Sequence, residues 1–156
     1  MGERCLIVDD DHHLLSALRR QLGERFDLET AQGGQQAIEA VREAAGQRDP
    51  FAVVVCDMRM PGMDGIETLK RIRDLAPDTV RIMLTGNADQ QTAIEAINQG
   101  SIFRFYTKPC SQEQLEAGLE AALGQYRLVT AERELLESTL AGSIKVLVEE
   151  IGRAHV

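Results

Sequence analysis

The chain predicts an α/β sandwich, a parallel sheet covered by helices on both faces. Three observations lead there. Short runs rich in Val, Ile and Leu recur along the chain, each bounded by turn residues; strands buried on both faces of a parallel sheet read this way. Segments with apolar residues at helical spacing separate these runs. Two of the runs, Cys5-Leu-Ile-Val8 and Phe51-Ala-Val-Val-Val-Cys56, open directly into acids, Asp9-Asp10-Asp11 and Asp57. A buried strand has no packing reason to end in Asp, but the C-terminal edge of an open α/β sheet is where ligands bind.

Residues 4–8 read as the first strand. Residues 12–23 follow as a helix with Leu14, Leu15, Leu18 and Leu22 on one face. Phe26 to Thr30 is a short second strand after the turn at Gly23. Residues 34–45 carry Ala37, Ile38, Val41 and Ala45 as a second helical face. The third strand is 51–56, and the loop after it, Met58-Arg-Met-Pro-Gly-Met-Asp-Gly65, leads into a helix marked by Ile66, Leu69, Ile72 and Leu75 and ended by Pro77. Val80 to Leu84 is the fourth strand, Thr92 to Gln99 a helix stopped by Gly100, and Phe103 to Thr107 the fifth strand. A last helix begins near Ser111, an N-cap with Gln114 three residues on. Five strand–helix repeats in about 124 residues make a parallel sheet with right-handed crossovers. Periodicity alone leaves the strand order open.

From residue 112 to 150 no proline interrupts the helical pattern. One heptad frame places Leu115, Leu119, Ala122, Tyr126, Val129, Arg133, Leu136, Leu140, Ser143 and Leu147 at core positions. At ~1.5 Å per residue such a helix extends over about 50 Å. A small sheet covers only its first turns, so Glu132 to Glu150 is expected to pair with a second copy of the chain. Gly118, Gly124 and Gly142 weaken the helix by roughly 1 kcal/mol each relative to Ala.

Composition narrows the function. The chain has 156 residues, 44% of them hydrophobic, and a net charge of -8. That charge argues against nonspecific binding to nucleic acid or anionic membranes, which need a basic surface. No apolar run approaches the ~20 residues that span a bilayer, and the N-terminus enters a strand without a signal peptide. The three cysteines, Cys5, Cys56 and Cys110, lack metal-ligand spacing and read as reduced thiols of a cytoplasmic protein. His12, His13 and His155 form no zinc pattern.

The chemistry concentrates at strand ends. Asp9, Asp10, Asp57, Thr85 and Lys108 each follow a strand, and in a parallel sheet those ends share one edge. Clustered carboxylates suit a hard cation such as Mg²⁺, or supply a carboxylate nucleophile. A hydroxyl and an ammonium bind the oxygens of an arriving phosphoryl group. Asp11 begins the following helix, where the dipole favours an acid, and Met58, Met60 and Met63 read as loop and core packing.

The ordered set Val8-Asp9-Asp10-Asp11, Asp57-Met-Arg-Met-Pro-Gly-Met-Asp-Gly65, Leu84-Thr85-Gly86 and Tyr106-Thr-Lys-Pro109 resembles the receiver domain of a two-component response regulator. The resemblance covers residues 4 to about 124 and implies a flavodoxin-like (βα)5 three-layer fold of strand order 2-1-3-4-5 with an extended C-terminal helix. It implies that Asp57 is the phosphoacceptor and that Asp9, Asp10, Asp57 and the backbone carbonyl of Arg59 hold Mg²⁺. It further implies that Thr85, Gly86 and Lys108 surround the phosphoryl group, that Phe105 is the switch aromatic, and that Arg59 and Asn87 influence phosphoryl lifetime. A sensor histidine kinase is the implied donor. The result is a cytoplasmic switch rather than an enzyme, signalling through the face of the fourth helix, fifth strand and fifth helix.

The expected organisation is a receiver at 1–124, a linker or coiled-coil helix at 125–150 that makes a homodimer, and a non-native tail at 151–156. The linker resembles one that precedes HD-type phosphodiesterase domains, so an absent C-terminal effector is expected. Two alternatives compete. One is an interaction module that needs no phosphorylation; the intact set of acids, Thr85 and Lys108 opposes it. The other is a small phosphatase, which needs a second acid two residues after the nucleophile, where Arg59 stands.

Overall fold

A computed structural model describes the backbone of residues 3–154 and the side chains of residues 3–140. Five strands, β1 (Arg4–Asp9), β2 (Asp27–Gln32), β3 (Val53–Asp57), β4 (Val80–Thr85) and β5 (Arg104–Thr107), alternate with helices α1 (His12–Leu22), α2 (Gly34–Gly46), α3 (Gly65–Leu75), α4 (Gln90–Asn98) and α5 (Gln112–Ala154). The sheet is parallel throughout with order β2-β1-β3-β4-β5. This is the flavodoxin-like order implied by the motifs. The register aligns Val8 with Cys56, Asp57 with Leu84, and Thr85 with Thr107, so the acids ending β1 and β3 and the hydroxyl ending β4 meet at one edge.

Alternation along each strand builds two cores. Leu6, Val8, Val54, Cys56 and Met83 pack with α2, α3 and α4, including Ile38, Val41, Leu69, Ile72 and Ala93. Cys5, Ile7, Val53, Val55, Ile82 and Leu84 pack with Leu15 and Leu22 of α1 and with Leu115, Leu119 and Ala122 of α5. Both sheet faces are therefore dry, which is why β3 is apolar at successive positions rather than every second one. On α2 the buried fourth position is Ala44, not Ala45: Ala44 follows Val41 by three residues and keeps to the inward stripe, and Ala45 is rotated off it.

Local signals set the helix ends. Asp11 caps α1, its Oδ1 accepting from the backbone N–H of His13 at 3.0 Å and of Leu14 at 3.2 Å. Asp64 caps α3 by accepting from the N–H of Glu67 at 2.9 Å. At the start of α5 the Ser111 hydroxyl accepts from the N–H of Gln114 at 3.1 Å while Gln114 Oε1 accepts from the N–H of Ser111 at 3.2 Å, a reciprocal capping box. Gly100 ends α4 with φ 75°, a conformation open to glycine at little cost. α4 starts earlier than the sequence suggests. A short 3₁₀ turn, Asn87–Asp89, leads into it at Gln90, because the polar Gln90-Gln91 pair shows no apolar periodicity.

The chain divides into two compact units, Met1–Tyr126 and Arg127–Val156. In the first, α5 crosses β5 closely: a Cβ on Gly118 would lie 2.8 Å from the Tyr106 ring. In the second, Leu128, Leu135, Leu136 and Leu140 are exposed to 68%, 68%, 55% and 62%. The heptad positions Ser143 and Leu147 lie outside the described side chains, and His155 and Val156 lie outside the described residues. Among the described residues no helix is long and apolar enough to cross a membrane. Cys5 and Cys56 are fully buried, and burial pushes the Cys5 thiol up to about 12, so both pack as small apolar groups.

Candidate functional site

The sheet brings Asp9, Asp10 and Asp57 together, each offering a carboxylate oxygen within 4.8 Å of the others. Asp9 and Asp57 are buried and Asp10 is exposed. Asp9 ends β1, and its Oδ1 accepts from the backbone N–H of Asp11 at 3.0 Å. Desolvation by burial holds the Asp9 carboxyl above the usual carboxylate range; the charge of Asp57 adds to this, and the Asp11 N–H and Lys108 oppose it. Buried like charges that cannot separate are costly unless a cation joins them.

Lys108 supplies one cation. Its Nζ lies 2.7 Å from Asp57 Oδ1 and 3.9 Å from Asp9 Oδ2. The strand geometry fixes the lysine's approach, because its own N–H donates to the Thr85 carbonyl at 2.8 Å. Oxygen-only donors at this spacing also fit Mg²⁺, which takes carboxylates, backbone carbonyls and water. They offer neither thiolate nor imidazole, the ligands that zinc selects.

The loop after β3 is shaped around Asp57. The Met58 N–H donates to the Leu84 carbonyl at 2.9 Å, and the Gly65 N–H to the Met58 carbonyl at 2.9 Å. A Cβ on Gly65 would collide with the Asp57 carbonyl oxygen and lie 2.9 Å from Met58 Cα. Gly62 turns the loop with φ 79°. Met58 and Met60 are buried in the core beneath it and Met63 packs against that core.

Thr85 is fully buried, and its hydroxyl donates to the Gly86 carbonyl at 3.2 Å. A Cβ on Gly86 would meet nothing within 4 Å, so the position leaves room beside Thr85. Phe105 lies apart from the acids, half-buried against the α4-side core. Its neighbour Tyr106 points to the opposite face and packs with α5. Thr85 pairs with Thr107, and Phe105 lies two residues before Thr107 on the same sheet face. His12 and His13 are exposed on the first turn of α1.

Asp89 carries no signal in the sequence. Its carboxylate receives the Arg59 guanidinium at two points, Nε to Oδ2 at 2.8 Å and Nη2 to Oδ1 at 2.9 Å. No periodicity links residues 30 apart. The one available signal is topological: β3 and β4 are neighbours, so the loops that follow them face each other.

The fold and motifs agree with known proteins. Residues 5–120 match the family model described as the response regulator receiver domain. The chain is 37% identical over 142 residues to the transcriptional regulatory protein ZraR of Escherichia coli O157:H7, covering 89% of this chain and 30% of that protein. It is 36% identical over 110 residues to the hydrogenase transcriptional regulatory protein HoxA of Cupriavidus necator, covering 70% of this chain and 22% of that one. The chain thus spans less than a third of these relatives' length. Among solved structures, it resembles an adenylate cyclase from Rhodopirellula baltica with 44% identity and a TM-score of 0.83, covering 88% of this chain and 98% of that one. It also resembles the signal receiver domain of an HD domain-containing protein from Pseudomonas fluorescens Pf-5, with 30% identity and a TM-score of 0.70 over 81% of this chain and 98% of that one. Sheet order, strand-edge acids and sequence relatives converge, and the chain belongs to the family of response regulator receiver domains.

Proposed function

We propose that Asp57 accepts a phosphoryl group from the phosphohistidine of a sensor histidine kinase, and that the domain relays this event as a conformational switch. The observation that carries the reading is the convergence of Asp9, Asp10 and Lys108 on one side chain, Asp57. The acid cluster serves a cation and the lysine serves incoming anionic oxygens, a combination that a metal-only or lysine-only site does not need.

Asp9, Asp10, Asp57 and the backbone carbonyl of Arg59 would hold Mg²⁺, which when bound neutralises charge on the phosphoryl oxygens. Asp57 supplies the attacking oxygen. Lys108 passes from Asp57 Oδ1 to a phosphoryl oxygen without leaving the site. The Thr85 hydroxyl exchanges the Gly86 carbonyl for a second phosphoryl oxygen, with Gly86 leaving the approach open. That turn of Thr85 vacates space on the sheet face that Phe105 shares, so Phe105 moves inward and alters the surface of α4, β5 and α5.

The receiver occupies 1–124, and 125–150 is a linker helix that joins a second copy through the exposed leucines after Tyr126. The domain is a switch that gains and loses its own phosphoryl group, and the output belongs to a C-terminal effector in a longer, cytoplasmic protein. The proteins it resembles include transcriptional regulators, an adenylate cyclase and an HD domain-containing protein, which fits one receiver serving several outputs. The test is incubation of wild type and Asp57→Asn with a small phosphodonor and Mg²⁺. The reading expects a mass gain of one phosphoryl group in wild type alone; equal labelling overturns it in favour of another acceptor, and no labelling favours the phosphorylation-independent module.

A further inference from the structure

The described part of the second compact unit, Arg127–Val156, lies wholly in α5, and it carries apolar residues on two faces. Val129, Leu136 and Leu140 fall on the heptad frame, with Arg133 among them. Leu128 and Leu135 do not. Each is 68% exposed, and they are the most exposed large apolar side chains among the described residues. A single exposed leucine needs no explanation, but these two recur with the heptad period. With Ala131 and Ser138 they make a 3-4-3 spacing of their own. At ~3.6 residues per turn the two rows lie about 150° apart around the helix. A partner seated on the first row leaves the second open to solvent.

The charges beside the second row fit another copy of the same helix. In a parallel pair in register, the residue just before a large core position meets the residue five further on in the neighbour. On the second row that sets Arg127 against Glu132 of the neighbouring copy, and two-fold symmetry makes the pair twice. The next such pair is Glu134 with Thr139, so no like charges meet between residues 127 and 139. The antiparallel arrangement, with Leu128 on Leu135, pairs Arg127 with Glu134 but brings the two Glu132 side chains together. Ala131 and Ser138, small residues between the leucines, let the helices approach closely.

We propose that Leu128, Ala131, Leu135 and Ser138 form a second seam for self-association, on which the α5 helix of a further copy lies parallel and in register. This goes beyond the dimer read from the leucines after Tyr126, and it does not require the Leu136–Leu140 seam to be occupied. With both seams filled, each helix touches two neighbours rather than one, so association runs on past the pair. The second seam offers two leucines and two small residues against the Val129, Leu136 and Leu140 of the first. It buries less apolar surface, and so fills at higher concentration.

The experiment is sedimentation velocity of the full chain from micromolar to submillimolar concentration. Wild type is expected as a dimer at the low end and as a species of twice that mass at the high end. Leu128→Glu with Leu135→Glu keeps the dimer and loses the larger species. Arg127→Glu sets like charges together and weakens the larger species by about tenfold. Adding Glu132→Arg restores it, a rescue that loss of helix cannot produce. A wild type that stops at the dimer, with Leu128→Glu and Leu135→Glu leaving that dimer unchanged, overturns the inference and keeps the Leu136–Leu140 dimer. A larger species that survives those changes, or that the charge exchange fails to restore, also overturns it. A pair that needs Leu128 and Leu135 but tolerates Leu136→Asp with Leu140→Asp supports this seam and overturns the earlier one.

Discussion

Lys108 Nζ lies 2.7 Å from Asp57 Oδ1. The contact places the ammonium on the carboxylate proposed to carry the phosphoryl group, and near enough to Asp9 to serve both acids. The same contact makes the lysine a rival of any metal at the cluster.

Removing that rival has a measurable consequence. Lys108→Ala leaves three carboxylates facing one another, so Mg²⁺ is expected to bind more tightly, by about tenfold or 1.4 kcal/mol. The metal-free variant loses roughly 1–2 kcal/mol of stability, between the limits for exposed and buried ion pairs. Isothermal titration with Mg²⁺ and urea unfolding in chelator check the two halves. Weaker Mg²⁺ binding contradicts the competition.

Asp9 predicts a pH dependence. Its carboxyl is raised, chiefly by burial and then by Asp57. A native carboxyl raised above its unfolded value binds the proton more tightly in the folded state. Metal-free stability therefore falls as pH rises from the ordinary carboxylate range through the native value, and stays at its lowest above it. Asp9→Asn keeps an oxygen for the Asp11 N–H and removes the charge. It is expected to flatten this slope, to be more stable than wild type at neutral pH without metal, and to lose Mg²⁺ binding. Urea unfolding across pH in chelator decides; parallel slopes for both proteins contradict it.

Gly65 touches the backbone of Asp57. A Cβ there meets the Asp57 carbonyl oxygen and Met58 Cα, neither of which is a flexible side-chain end. Gly65→Ala is expected to cost about 1–3 kcal/mol and to slow phosphorylation by shifting Asp57. Gly86→Ala, with open space around its Cβ, leaves stability within about 0.5 kcal/mol of wild type. Chemical denaturation of both variants tests the contrast.

The leucines after Tyr126 predict an oligomer. Leu136 and Leu140 are 55% and 62% exposed and share one seam of the heptad frame. The double change Leu136→Asp with Leu140→Asp is expected to convert a dimer to a monomer in sedimentation velocity while leaving Asp57 labelling unaffected. A wild-type monomer at micromolar concentration contradicts the linker reading.

Much of this was legible in the sequence for a physical reason. Buried parallel strands concentrate Val and Ile, so Val53, Val54 and Val55 announce a strand covered on both faces, and Asp57 then stands out against it. Topology turns four strand ends into one edge, which is why Asp9, Asp57, Thr85 and Lys108 group together from the sequence alone. Ser111 and Gln114 declared the start of α5 because a capping box is local. The Arg59–Asp89 fork was hidden, since an ion pair between loops leaves no period. Ala44 and Ala45 are adjacent alanines that hydropathy cannot separate, so which of them faces inward was not legible.

The central claim is that Asp57 is the residue that takes the phosphoryl group. Borohydride reduction of the phosphorylated protein converts an aspartyl phosphate to homoserine, and peptide mass spectrometry then locates it. The account predicts homoserine at position 57 only, dependent on Mg²⁺ and on the phosphodonor. Homoserine at position 9 or 10, or at none of the acids in a protein that has gained phosphate, would contradict it.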